Sequence, residues 1–279
     1  MAYKTLLTVI TDPAIAKPAL DRAVAIARAE EAHLDVLCIG VDRTQTGYYY
    51  AGASAVFQQE VIEKAKEEAV AAETYANKHL ANEGIPFAVD KAVAQLAGLG
   101  RLVAHRARFS DLVVLPRPYG KGCGQEQETI VESTLFEGQV PTLVVPPKTK
   151  ANVEAKRIII AWNESSEAMA AVRAALPALI AADSVNITVI DPPQHGPDRS
   201  DPGGALSQML VRHGVKAEIT VLAKTMPRVS DVLLRHARDM NADMIVMGAY
   251  GHSRFREAIL GGATRNMLEN TKIPVLMAH

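Results

Sequence analysis

The stretch ADMIVMGAYGHSRFREAILGGATRNMLENTKIPVLM, residues 242–277, decides the fold. Met244–Met247 is a short apolar run that suits a strand buried on both faces. It passes directly into Gly248-Ala249-Tyr250-Gly251. Nine residues follow, His252 to Leu260, and then Gly261-Gly262-Ala263-Thr264, where a helix is expected to begin and run to about Asn270. A closing strand around Val275 carries Pro274. This order of strand, glycine loop and helix is favourable for an anion. Ligands of open α/β sheets sit beyond the carboxyl ends of the strands. A helix amino terminus offers unpaired N–H groups and the positive end of its dipole. Glycines let the backbone approach a phosphate, and consecutive N–H groups form a nest. The plainer alternative is that the glycines only shape tight turns.

Outward from this stretch, the chain repeats itself. Ser110-Asp111-Leu112-Val113-Val114-Leu115 matches Ala242-Asp243-Met244-Ile245-Val246-Met247. Arginine-rich helical stretches precede them, Leu96 to Arg108 and Arg228 to Met240. Lys4–Asp12 and Arg157–Asn163 both read as a buried strand ending in a polar residue. Helices are expected over Ala16–Ala32 and Ser166–Ala181, and second strands over Leu34–Val41 and Asn186–Ile190. Strands alternating with helices predict βαβ crossovers and a parallel sheet. Asp12 and Asn163 are 151 residues apart and Asp111 and Asp243 are 132 apart, so the first half is 19 residues longer between these points. The excess fits a long amphipathic helix from Ser54 to about Asn82. In its place the second half has a Pro/Gly-rich loop, Asp191 to Gly204, and a short helix to His213. A polar linker, Pro146–Lys156, separates two expected domains, 1–147 and 156–279.

At the place of the glycine loop the first half reads Pro116-Arg117-Pro118-Tyr119-Gly120-Lys121-Gly122-Cys123-Gly124. Proline removes an N–H and fixes φ where the second half has Gly248. Glu126, Glu128 and Glu132 follow where the helix should start, satisfy its dipole and repel phosphate. The first loop is therefore read as degenerate.

Composition narrows the function. A net charge of −1 gives no global reason to bind nucleic acid or a membrane surface. Only two cysteines, Cys38 and Cys123, are present, which implies no disulfide framework. No apolar run approaches the roughly 20 residues of a membrane span, and the start does not read as a signal sequence. A cytoplasmic protein is expected. There is no H-E-x-x-H, C-x-x-C, G-x-S-x-G, Walker lysine or H-x-G-H motif, and the histidines lack metal-ligand spacing. No catalytic group stands out, so the chain is expected not to be an enzyme.

The spacing G-x2-G-x9-G and the run around it resemble the nucleotide loop of the universal stress protein family. The resemblance covers nearly the whole chain, twice. It implies two Rossmann-like α/β domains, each with a five-stranded, mostly parallel sheet in the order 3-2-1-4-5 flanked by helices. It implies ATP or AMP, with Mg2+ as an optional companion, as ligand of the second domain, though other members bind no nucleotide. Carried over, Gly248, Gly251, Gly261 and Gly262 surround the phosphates and ribose, with Ala263 and Thr264 at the helix start and Met247 beneath. Val189 offers backbone groups to adenine, and Ala161 and Asn163 border base and sugar. His252 and Arg254 are phosphate candidates within the loop. This sequence departs from the family in two places: Gly262 stands where serine or threonine is usual, and Asn163 where aspartate is usual. An amide there can still bond a ligand, or simply cap the next helix. Family members commonly pair through their fifth strands. A tandem chain is thus expected to form an intramolecular pseudo-dimer, with a homodimer as a further step. The competing readings are a nucleotide-independent interaction module and, third, a weak ATPase.

Overall fold

The computed structural model describes residues 3–44, 55–149, 154–192, 201–249 and 262–279. By contact density they form two compact units, Tyr3–Thr142 and Leu143–His279. The first unit runs β1 (Thr5–Ile10), α1 (Pro13–Glu30), β2 (His33–Asp42), α2 (Ala55–Leu80), β3 (Phe87–Gln95), α3 (Leu96–Ala107), β4 (Leu112–Pro116) and α4 (Gln125–Phe136). Its strands lie in the order β3-β2-β1-β4, paired in parallel. A further strand, β5 (Thr142–Val145), follows. The rest is β6 (Arg157–Trp162), α5 (Ser166–Ala181), β7 (Ser184–Ile190), α6 (Gly204–Arg212), β8 (Ala217–Leu222), α7 (Val229–Asp239), β9 (Met244–Gly248), α8 (Ala263–Asn270) and β10 (Val275–Ala278). Its order is β8-β7-β6-β9-β10, again parallel. This is the expected 3-2-1-4-5 arrangement.

The repeat extends to individual atoms. Asp111 Oδ2 accepts from the N–H groups of Lys4 and Thr5 at 2.7 and 2.9 Å, fixing the start of β1. Asp243 Oδ2 accepts from Lys156 and Arg157 at 3.1 and 2.9 Å, fixing the start of β6 in the same way. Charge-assisted bonds of this kind set the register of two strands far apart in sequence. With Thr5 and Arg157 as equivalents, the residue just past β1 is Thr11 and the residue just past β6 is Asn163. Asp12 instead caps α1, its Oδ1 accepting from Ala14 N–H at 2.8 Å. The corresponding cap of α5 is Ser165, which accepts from Ala168 N–H at 3.1 Å. Helix α1 starts three residues earlier than its apolar periodicity suggests, because Asp12 caps it and Pro13 is pre-set for its first turn.

Central strands are buried along their length, whereas β3 and β8 alternate, as sheet-edge strands do. The long helix α2 lies on β2 through a seam of small residues. Ala65, Ala69, Ala72 and Ala76 are each at most 2% exposed, at helical spacing. Beneath them is Gly40, where a Cβ would fall on the carbonyl oxygen of Ala65. The approach is so close that only glycine fits.

Candidate functional site

In the second unit three strand ends come level at the carboxyl side of the sheet. Ala161 is the register partner of Met247 in β9 and of Thr188 in β7. Val189 lies one residue further, between Trp162 and Val221. Met247, Val189 and Trp162 are all buried. Asn163, just beyond β6, is exposed, and its Oδ1 accepts from Ser165 N–H at 3.3 Å. It makes the turn into α5 while Ser165 makes the cap, so the helix does not need Asn163 as its capping residue.

Gly248 has a packing role that its place in a glycine pattern does not reveal. A Cβ there would lie 2.6 Å from Ala168 N and 2.8 Å from the Glu167 carbonyl carbon. The first turn of α5 therefore sits against the end of β9. That turn brings in Glu167, whose carboxyl is held below its usual range. The chief cause is a backbone N–H bond at its own residue. Burial opposes it, and the hydroxyls of Ser165 and Ser166 and the charge of His279 add to it. His279 Nδ1 lies 3.0 Å from the Ala249 carbonyl, an oxygen that can only accept, so the proton is on Nδ1.

The other side of the site is the start of α8. Gly262 is the N-cap residue (φ −56°, ψ 153°), no side chain of the described residues caps the helix there, and its first turn holds no acidic residue. Ala263 is exposed and Thr264 is 2% exposed. Asn266 takes hold of the Gly262 carbonyl: its Nδ2 donates to that oxygen at 3.1 Å. Arg228 Nη1 donates to Asn266 Oδ1 at 2.8 Å. The structure thus brings Ala161, Asn163, Val189, Met247 and Gly248 to one end of the sheet and places Gly262, Ala263 and Thr264 at the start of α8. Gly251, His252, Arg254 and Gly261 lie outside the described residues.

The matching place in the first unit is filled. Gln127 is 4% exposed; its Oε1 accepts the N–H of Gly124, and its Nε2 donates to Thr11 Oγ1 at 3.0 Å. Glu126 is 9% exposed and pairs with the Arg43 guanidinium at 3.0 Å, which also meets Glu68 at 3.0 Å. What is left beside Thr11, Asp12, Pro116 and Gln127 is a cavity of about 10 Å³, the size of one water. Cys123 is half-buried, its Sγ 3.4 Å from the Arg117 carbonyl. Burial pushes its thiol up, Arg117 pulls it down, and Glu126 and Asp12 add to the rise. This is not the electropositive setting of a reactive thiolate.

Residues 154–279 match the profile of the universal stress protein family. The second half of the chain is thus similar to that family. A universal stress protein of Synechocystis sp. is 25% identical over 154 residues, which is 55% of this chain and 50% of that one. The chain thus spans about half the length of that curated relative. The fold of the whole chain has solved counterparts. The crystal structure of a universal stress protein from Archaeoglobus fulgidus covers 98% of this chain and 95% of its own, with a TM-score of 0.71 at 15% identity. A Pseudomonas aeruginosa protein of unknown function covers 99% and 92%, with a TM-score of 0.57 at 16% identity. Among the described residues no helix is long and apolar enough to cross a membrane, and no cluster of three metal-ligating side chains occurs.

Glu167, Asn266 and Arg228 lie at the candidate site of the second unit, and Gln127 and Arg43 at the matching place of the first; none of the five was expected there from the sequence. Asn266 follows Gly262 by four residues, one helical turn, and that spacing is the signal available for it. Arg228 and Arg43 reach their partners from 38 and 83 residues away, where no local pattern points.

Proposed function

We propose that this stress-response protein binds ATP or AMP in its second domain and acts as a regulator, not a catalyst. Its domains are 1–147 and 156–279. The phosphates would lie against Gly248, Gly251, Gly261, Gly262, Ala263 and Thr264, with His252 and Arg254 neutralising charge. The base and ribose would lie near Ala161, Asn163 and Val189, and Mg2+ would come with the nucleotide. The observation that carries this reading is the start of α8. A helix N-terminus with no acidic residue in its first turn and no side-chain cap stands at the carboxyl side of a parallel sheet. The positive end of the helix dipole at such a place suits a phosphate. The chain's own first half supports the reading by contrast, because its matching helix start is taken by its own side chains. Cytoplasmic location, pairing of the fifth strands as a pseudo-dimer, and a homodimer belong to the same proposal.

The test is direct. The purified protein is denatured and its released small molecules weighed, and the nucleotide-free chain is then titrated with ATP, ADP and AMP by calorimetry. Roughly one adenine nucleotide per chain is expected, bound well below millimolar concentration and without turnover. No binding below about 1 mM, some −4 kcal/mol, sinks the reading in favour of a nucleotide-independent interaction module. Turnover above background would make the protein an ATPase. Gly251→Asp should abolish binding by crowding the loop and placing a charge beside phosphate. Gly120→Asp should leave affinity unchanged, and a large loss there would move the site to the first half.

A further inference from the structure

The two units also differ where their last two helices end. In the first unit this place is closed. Arg108, just past α3, donates through Nε and Nη2 to the carbonyl of Glu137, just past α4, at 3.3 and 3.1 Å. Gly138 lies so near that a Cβ there would be 3.4 Å from the Ala107 Cβ. Leu99 of α3 is fully buried, and Arg106 is held by Asp90 at 2.6 Å. With Asp111 and Asp243 as equivalents, the second unit has Met240 in place of Arg108, Asp231 in place of Leu99 and Arg238 at the place of Arg106. The Met240 thioether has no proton to donate. The residue of β8 that matches Asp90 by register is the uncharged Thr220.

A cleft of about 660 Å³ opens there, between α7 and the end of α8. That volume is typical of small-molecule sites. Asp231, Leu234 and Arg238 line it from one face of α7, at positions i, i+3 and i+7. Lys272 and Ile273 line it from the segment that leads into β10, and Met226 from the approach to α7. β9 and β10 are parallel neighbours, and Ile245 N–H donates to the Pro274 carbonyl at 3.0 Å. Lys272 therefore lies at the Arg238 end of the cleft, and Asp231, in the first turn of α7, at the other. Leu234, Ile273 and Met226 are half-buried and form an apolar wall. Among the described residues the side chains of Asp231, Arg238 and Lys272 make no ion pair or hydrogen bond. The signs of Asp231 and Arg238 also suit the α7 dipole. The dipole does not account for the opening, because the first unit closes the same place.

We propose that this cleft binds a short zwitterionic peptide, with its ammonium at Asp231 and its carboxylate between Arg238 and Lys272. Length selects the class. The rise of α-helix from Asp231 to Arg238 is about 10 Å, and an extended peptide of about three residues spans the same distance. An apolar side chain of the peptide rests on Leu234, Ile273 and Met226. The cleft is at the amino side of the sheet, away from the strand ends assigned to nucleotide, so it stands apart from that reading.

The test is calorimetry on the full chain with the tripeptide Ala-Leu-Ala. Binding is expected with a Kd below about 1 mM. Acetylating its amine or amidating its carboxylate should each weaken it about fivefold, as loss of one exposed charge pair does. Free leucine, too short to reach both ends, should bind about tenfold more weakly. Asp231→Asn should weaken the free tripeptide but not the acetylated one. The double variant Arg238→Met with Lys272→Met should weaken the free tripeptide but not the amidated one. Melting temperatures check that each variant folds; where one does not, the blocked peptides on the native chain decide. Added ATP should leave the affinity unchanged. No binding below about 1 mM, equal affinity for the free and doubly blocked tripeptide, leucine binding as tightly as the tripeptide, or displacement by ATP overturns the proposal.

Discussion

Helices α4 and α8 hold the same place in their repeats and meet opposite surroundings. The start of α4 is closed by its own neighbours. Glu126 is neutralised by Arg43, and Gln127 joins Gly124 to Thr11. At the start of α8 no side-chain cap is made among the described residues, and the residue equivalent to Thr11 is the exposed Asn163. The same place in the fold can therefore be packed with the chain's own polar contacts, as in the first unit. The contrast runs on to the sheet edges, where the first unit covers β2 and β3 with the 26-residue α2 and the second has the 9-residue α6.

The most disruptive way to break the comparison is at the α2 seam. Gly40→Val places a branched side chain where Ala65 backbone already lies, and backbone cannot yield as a side chain tip does. A cost of about 3 kcal/mol or more is expected, because α2 must lift off β2. Trp162 is the only tryptophan and belongs to the second unit, so its fluorescence reports that unit. In urea, far-ultraviolet dichroism should show the first unit unfolding early while the Trp162 transition stays near its native midpoint. If both transitions move together, the halves are not independent in stability.

Gly248→Ala sharpens the contrast from the other side. The first half has Pro116 at this place, whereas the second admits no Cβ without shifting Ala168 and Glu167. A destabilisation of about 2 kcal/mol is expected in the Trp162 transition, together with a loss of ATP affinity. A variant of native stability and affinity would show that the first turn of α5 moves freely and is not part of the site. A smaller effect is expected from Glu126→Gln. The pair with Arg43 is only partly screened from water, and Arg43 keeps Glu68, so about 1 kcal/mol is at stake. Gln127 still holds Gly124, so no ATP affinity should appear in the first half. Stoichiometry rising to two nucleotides per chain would show that charge alone closed that crevice.

Much of this was legible from one sequence because the signals are local. The bounds of α5 fell where the apolar period put them, Ser166–Ala181. The repeated aspartates Asp111 and Asp243 marked equivalent strand starts. The degenerate first loop was visible in Pro116 and in the acidic residues after it. The reason it is closed was only half visible. Glu126 reads as a bare repelling charge until Arg43 arrives from another element, and Gln127 looks like an ordinary helix residue until it meets Thr11. Gly248 reads as a phosphate glycine, yet its immediate cause is the approach of α5. Each miss involves a contact between segments far apart in sequence, where spacing carries no information.

The smallest test concerns β7, where the second unit has Asn186 and Thr188 at the positions of Asp35 and Leu37 in β2. Thr188 Oγ1 donates to Asn186 Oδ1 at 2.7 Å, and Asn186 Nδ2 donates to Thr220 Oγ1 at 2.8 Å. His236 Nε2, from α7, reaches the same Asn186 oxygen at 3.2 Å. Burial holds the His236 imidazole below its usual value near 6.5, with Asp239 opposing in part. The neutral ring is thus the favoured folded form. As the pH drops through 6.5 the unfolded chain takes up a proton that the folded chain resists, so stability falls with falling pH across that window. His236→Gln keeps a donor for Asn186 and removes the titration. Urea midpoints of the Trp162 transition between pH 7.5 and about 5 should decline less steeply in the variant than in the native protein, with little difference at the upper end. Parallel slopes would mean that His236 protonates as readily in the fold as out of it, and that the polar bonds under β7 tolerate the charge.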